Sequence, residues 1–212
     1  SLSDDVKEKI SLFCNVGREA VIESPDVQSI YQIPLVFQEQ GLDRLLLSHF
    51  GLKCKTTDLT GWNKKVVHRA LYPRYQVTVA VVGKYIALQE AYKSIYESLI
   101  HAGIANDAKV VIKKVDSEEI EKAGADKYLR DVSGILVPGG FGYRGIEGKV
   151  KAIQYARENA IPFFGLCLGM QCAVIEFARN VCGLTGANST EFDRKTRHPV
   201  ISLLAEQHHV RD

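Results

Sequence analysis

The chain has 212 residues, 46% hydrophobic and 25% charged, and its 27 basic and 25 acidic side chains leave a formal charge of +2. No Lys/Arg run exceeds two residues and no stretch approaches the roughly 18 uninterrupted apolar residues of a membrane span, which excludes an electrostatic footprint for nucleic acid and a helical membrane anchor. Five cysteines without Cys-x-x-Cys pairing or metal-spaced histidines fit a reduced, cytoplasmic setting and small-molecule chemistry, and the missing initiator Met fits a fragment or a processed product.

In chain order, the spacing Val6, Ile10, Phe13 predicts a helix over 3–13 with Ser3 or Asp4 as cap. Ala20 to Ile22 reads as a scrap of strand. Ser24-Pro25-Asp26 should open a second helix carrying Val27, Ile30 and Tyr31, which Pro34 breaks or kinks. Asp43 should cap a Leu-rich helix through Phe50, closed by Gly51. These elements are too small to fold alone and read as the tail of a second domain, residues 1–52. Residues 53–75 read as a linker with one amphipathic helix, capped by Thr60 and carrying Trp62, Val66 and Ala70; periodicity equally allows that helix to be a fourth one of the preceding domain.

From residue 76 to 212 short apolar runs alternate with longer amphipathic stretches, the pattern of an α/β domain with a parallel sheet flanked by helices. Strands are expected at Val77 to Val82, Val110 to Val115, Gly134 to Val137 and Pro162 to Leu166. Helices are expected near Leu88 to Ala102, Gly148 to Asn159 and Gly169 to Arg179, the last with Met170, Val174, Phe177 and Val181 as its apolar positions.

Gly165-Leu166-Cys167-Leu168-Gly169 sits where a buried strand meets that helix, which is the arrangement of a nucleophile elbow. Glycines two residues on either side give a sharp turn room, and the helix N-terminus favours the thiolate of Cys167. Pro138-Gly139-Gly140-Phe141-Gly142 follows another strand, so its loop should emerge at the same edge of the sheet. The N–H groups of Gly140 and Leu168 could then form an oxyanion hole, each donor being worth about 2.7–4 kcal/mol. The other four cysteines read as small buried hydrophobes.

Three ordered motifs, Leu136 to Gly142, Gly165 to Gln171 and Asn188-Ser189-Thr190-Glu191-Phe192, resemble class I glutamine amidotransferases of flavodoxin-like, three-layer fold. With Tyr143-Arg144-Gly145, Val82-Gly83-Lys84-Tyr85 and Ala91 to Ser94, the chain is similar to the CTP synthase family, and Phe13 to Val16 and Asp26 to Tyr31 resemble the end of that family's synthase domain. The resemblance implies that Cys167 attacks the carboxamide of glutamine and that the released ammonia aminates UTP to CTP. That second reaction uses ATP and Mg²⁺, GTP activates it, and the family forms homotetramers.

Carried over by position, Gly140, Leu168, Gly169, Met170 and Gln171 bind glutamine and Glu191 engages its α-amino group. Lys9 contacts the pyrimidine nucleotide UTP or CTP, and Pro25, Asp26 and Val27 lie against ATP. Lys93 and residues 142–148 fall where the family places its response to GTP, and no metal ligand is expected in this segment. Pro25 departs from the family's usual residue, so a side-chain contribution there is not implied.

The family's catalytic His-x-Glu and the arginine for the glutamine carboxylate are expected beyond Asp212. His208, His209 and Asp212 are a poor substitute, since terminal histidines are mostly solvated. The segment alone is therefore expected to be inactive. Two alternatives stand: another class I amidotransferase, which would have no use for the first seventy residues, and a non-catalytic regulatory or assembly module.

Overall fold

The computed structural model describes residues 2–53, 57–84, 86, 88–140 and 142–202. Cys54, Tyr85, Phe141 and the terminal His208, His209 and Asp212 lie outside them. The chain divides into one unit of Ser1–Tyr75 with His101–Lys109 and another of Gln76–Ile100 with Val110–Asp212.

In the first unit, α1 (Asp4–Cys14) follows Ser3 in extended backbone, with Asp4 and Asp5 in its first turn where the helix dipole favours acids. It ends at Asn15 in the left-handed region, and the Val16 N–H returns to the Ser11 carbonyl at 3.1 Å, a Schellman closure. The strand expected at Ala20 to Ile22 is absent. A 3₁₀ turn occupies Arg18–Ala20, and the segment beyond it is held by the Gln40 side chain. Gln40 Nε2 donates to the Glu23 carbonyl at 2.7 Å and its Oε1 accepts from the Glu23 N–H at 2.8 Å. One amide thus fills the place of a neighbouring strand.

No helix opens at Pro25. A 3₁₀ turn at Ile30–Gln32, closed by a Ser29–Gln32 capping box, leads into α2 (Ile33–Glu39), where Pro34 sits in the first turn and starts the helix instead of breaking it. A first-turn N–H has no intrahelical acceptor, so proline loses nothing there. In α3 (Leu42–His49) Gly41, not Asp43, is the N-cap; Asp43 Oδ1 accepts from the Arg44 N–H inside the first turn. Gly51 closes the helix, with the Leu52 N–H on the Leu47 carbonyl at 2.9 Å.

The amphipathic helix is one continuous run, α4 (Thr60–Trp62), a π-helical turn at Asn63–Val67 and α5 (His68–Leu71). Thr60 lies inside it, and the acceptor at its start is Asp58, whose Oδ1 takes the Thr60 N–H at 2.9 Å. This hydrogen bonding from Thr60 lowers the Asp58 pKa. Trp62 Nε1 donates to the Tyr31 carbonyl at 2.8 Å, and Arg69 reaches the Ala105 carbonyl at 2.9 Å.

The second unit is built on a four-stranded sheet of order β2-β1-β3-β4: β1 (Tyr75–Gly83), β2 (Ala108–Asp116), β3 (Gly134–Val137) and β4 (Phe163–Gly165). β3 runs parallel to β1, with Ala80 opposite Ile135, and to β4, with Val137 opposite Gly165. The buried stretches of β1 and β3 face both ways, as a sheet covered on both sides requires. Ala80, Val82, Ile135 and Val137 enter one core with residues of α9 (Ile146–Glu158) and α10 (Leu168–Asn180), while Val81 and Leu136 enter the other with Tyr92 and Tyr96. Tyr92 ends a 3₁₀ turn leading into α6 (Lys93–Ala105). Each such valine, leucine or isoleucine contributes roughly 1.5–3 kcal/mol on burial.

Two helices between β2 and β3 were not anticipated: α7 (Ser117–Ala123), capped by Asp116, whose side chain accepts from the Glu118 N–H, and α8 (Asp126–Leu129). α7 crosses α9 so closely that a methyl on Gly148 would run into the Ser117 carbonyl. A short parallel pair, β5 (Asn188–Ser189) and β6 (Pro199–Ile201), packs on α10. The inner face of α10 is Leu168, Cys172, Ile175 and Ala178. Met170, Val174, Phe177 and Val181, the apolar positions read from spacing, are exposed.

Candidate active site

Cys167 occupies the turn between β4 and α10 with φ 51° and ψ −107°, a left-handed conformation that a side chain adopts only when its surroundings impose it. They do so through the two flanking glycines. A methyl on Gly165 would lie 2.6 Å from the Gly169 carbonyl carbon and 2.7 Å from the Met170 nitrogen, and one on Gly169 would run into the Val137 carbonyl. The turn is closed by the Gly169 N–H on the Leu166 carbonyl at 2.8 Å and tied to the sheet by the Leu166 N–H on the Val137 carbonyl at 2.9 Å. The Cys167 side chain is left exposed at the carboxyl end of the sheet.

The loop after β3 meets it there. A methyl on Gly139 would touch Cys167 Cβ at 3.5 Å, and one on Gly140 would touch Leu168 Cδ2 at 3.7 Å. Leu168 is the first residue of α10, so its N–H belongs to the first-turn amides that a helix leaves without an internal acceptor. A thiol, an adjacent helix N-terminus and a glycine loop thus meet at one sheet edge.

Gly140, Leu168 and Gly169 are gathered around Cys167, with exposed Met170 and half-buried Gln171 following in the first turn of α10. Glu191 is exposed on the turn after β5, which is held by the Glu191 N–H on Ser189 Oγ at 3.2 Å and by Phe192 packed into the core. Lys93 is exposed at the start of α6, 3.9 Å from Glu90. Residues 142–148, read as a loop, run into the first turn of α9 at Ile146, and Arg144 among them pairs with Glu118 at 2.8 Å. Lys9, Pro25 and Asp26 are exposed and Val27 half-buried in the first unit, Lys9 on α1 and the other three outside any helix or strand.

The sequence reading missed two cations at the glycine loop. Lys149 Nζ lies 3.8 Å from the methyl position of Gly140, and Lys84 Nζ 3.8 Å from that of Gly142. Lys149 is fully buried. Burial lowers its pKa, opposed by the Cys172 thiol and aided by Lys84. Burial likewise pushes the Cys172 thiol up to about 11. In the sequence Lys149 looks like any helix lysine, so only packing reveals it.

Fold and site together define an α/β protein with a cysteine at a strained strand-to-helix turn. Residues 87–210 match the model of glutamine amidotransferase class-I, and residues 1–52 match that of the CTP synthase N-terminus. The chain belongs to the class I glutamine amidotransferase family. It is 55% identical to the CTP synthase of Desulfitobacterium hafniense over its whole length and 53% identical to that of Methanocaldococcus jannaschii over 99% of it, spanning about 40% of each. Among solved structures, the glutaminase domain of Trypanosoma brucei CTPS with bound acivicin is 46% identical at a TM-score of 0.58. That match covers 62% of this chain and 51% of the other.

Proposed function

We propose that the chain is part of a glutamine-dependent CTP synthase, with its ammonia-producing nucleophile at Cys167. The observation that carries this is the strained Cys167 backbone set against the Gly139–Gly140 loop. The Cys167 thiolate attacks the carboxamide carbon of glutamine, and the carbonyl π pair moves to oxygen, where the N–H groups of Gly140 and Leu168 receive it. Collapse expels ammonia, and water cleaves the thioester to glutamate. Gly169, Met170 and Gln171 line the substrate, and the Glu191 carboxylate holds its ammonium.

Proton transfer in this family uses a His-x-Glu pair, and the 212 residues contain none. The segment alone therefore traps glutamine-like electrophiles without turning over. In the whole enzyme, a cytoplasmic homotetramer in this reading, ammonia aminates UTP activated by ATP, with Lys9 toward the pyrimidine nucleotide and Pro25, Asp26 and Val27 toward ATP. GTP acts as effector near Lys93 and residues 142–148. Among the described residues no cluster of three His, Cys, Asp or Glu could hold a metal ion; the Mg²⁺ that accompanies ATP belongs to the amination of UTP. The domain division is residues 1–52 synthase tail, 53–75 linker and 76–212 amidotransferase.

The test is mass spectrometry after exposure to acivicin. Labelling confined to Cys167, prevented by glutamine and absent in Cys167→Ser, supports the reading; unselective labelling of a folded chain overturns it.

A further inference from the structure

Among the described residues two charged side chains are almost wholly buried, Lys149 and Glu176, and the fold treats them oppositely. Glu176 is met by Arg157 at 2.8 and 3.0 Å and by Asn180 at 3.0 Å. Lys149 Nζ has no hydrogen-bond partner among the described residues. An unpaired buried ammonium costs stability that an apolar side chain of similar length would recover. Its position gives it a use. Lys149 leaves α9 toward the loop beyond β3, its Nζ 3.8 Å from the methyl position of Gly140, the residue next to the Gly139–Cys167 contact.

We infer that Lys149 acts on the reaction through the glycine loop: its ammonium, set beside Gly140 without a hydrogen bond of its own among the described residues, supplies positive potential where negative charge forms on the substrate amide oxygen. This rests on the reading of Cys167 as the nucleophile. Among the described residues the groups bearing on the Lys149 ammonium are Lys84 and the neutral thiol of Cys172, and no carboxylate among them serves as counter-charge. Negative charge developing at Gly140 would supply one, and a group that stabilises a reacting state more than the resting state accelerates the reaction. Holding an unsatisfied group at such a place exchanges stability for activity.

The probe is acivicin. The Cys167 thiolate forms a C–S bond to the chlorine-bearing ring carbon, chloride leaves with its bonding pair, and negative charge passes transiently to the ring nitrogen, which stands in for the amide oxygen. Saturation kinetics are measured for the chain and for Lys149→Met, with iodoacetamide as an undirected thiol reagent and thermal melting as the fold control. The expected result is a maximal inactivation rate lowered about tenfold, an unchanged half-saturating concentration, an unchanged iodoacetamide rate at Cys167, and a melting temperature equal or higher. Should Lys149→Met not fold, Lys149→Gln carries the same expectation for the rates. An undiminished maximal rate in a folded variant overturns the inference while leaving the amidotransferase reading intact. Equal slowing with iodoacetamide also overturns it, because the effect then lies in the thiol and not in the loop. Absence of glutamine-protected labelling in the unsubstituted chain defeats the amidotransferase reading, and this inference with it.

Discussion

Gly165 and Gly169 press backbone against backbone, with the methyl position of Gly165 only 2.6 Å from the Gly169 carbonyl carbon. The Gly-x-Cys-x-Gly spacing is therefore a packing requirement: the chain folds back within four residues and leaves the cysteine between the glycines at a left-handed turn.

Gly169→Ala places its methyl on the Val137 carbonyl, a backbone atom that cannot rotate away. It lowers unfolding free energy by about 1–3 kcal/mol or more and abolishes selective labelling of Cys167. Urea denaturation monitored by circular dichroism, followed by labelling of the folded fraction, checks both effects.

Arg157→Met strands the Glu176 carboxylate, leaving Asn180 as its neighbour. The loss exceeds that of a surface ion pair because the carboxylate left behind is buried, although Arg157 itself is 35% exposed. Arg157→Met with Glu176→Leu recovers most of it. A double-mutant cycle in urea measures the coupling.

Glu191→Gln removes the carboxylate assigned to the glutamine ammonium. A charge-assisted hydrogen bond contributes about 1.5–3 kcal/mol, so the glutamine concentration that half-protects Cys167 rises roughly 10- to 100-fold. Competition labelling reads this directly, and the iodoacetamide rate at Cys167 stays unchanged.

Burial sets Cys172 apart from the exposed Cys167. Burial pushes the Cys172 thiol up to about 11, so at pH 8 only about one molecule in a thousand carries its thiolate, and the side chain is fully buried. Iodoacetamide at pH 8 modifies Cys167 and spares Cys172. Reactivity at Cys172 grows only as the pH climbs toward 11 or the domain unfolds, which peptide mapping over a pH series follows.

Much of the site was legible because its requirements are local. Gly134 to Val137 is a run of four buried residues and Gly165 to Gly169 a turn fixed by backbone clearance, and both survive from sequence to structure. The misreadings came from tertiary context. Periodicity marks α10 as a helix and picks out Met170, Val174, Phe177 and Val181 as its apolar positions, yet Cys172, Ile175 and Ala178 are the ones packed inside. Pro34 reads as a breaker until its place in the first turn of α2 is known, and Gln40 replaces a strand by side-chain hydrogen bonds that no pattern encodes. α7 did leave a signal, Asp116 followed by two glutamates, an N-cap with acids in the first turn. Lys149 left none, since burial of a single helix lysine depends on what packs over it.

The most direct measurement of the central claim is peptide mapping of the intact chain after acivicin treatment, with and without glutamine. One modification is expected, at Cys167, suppressed by glutamine and lost in Cys167→Ser, while Cys14 and Cys182, which are exposed and not buried as their sequence reading had them, stay unlabelled. Modification spread over the exposed cysteines of a folded chain, indifferent to glutamine, would contradict it.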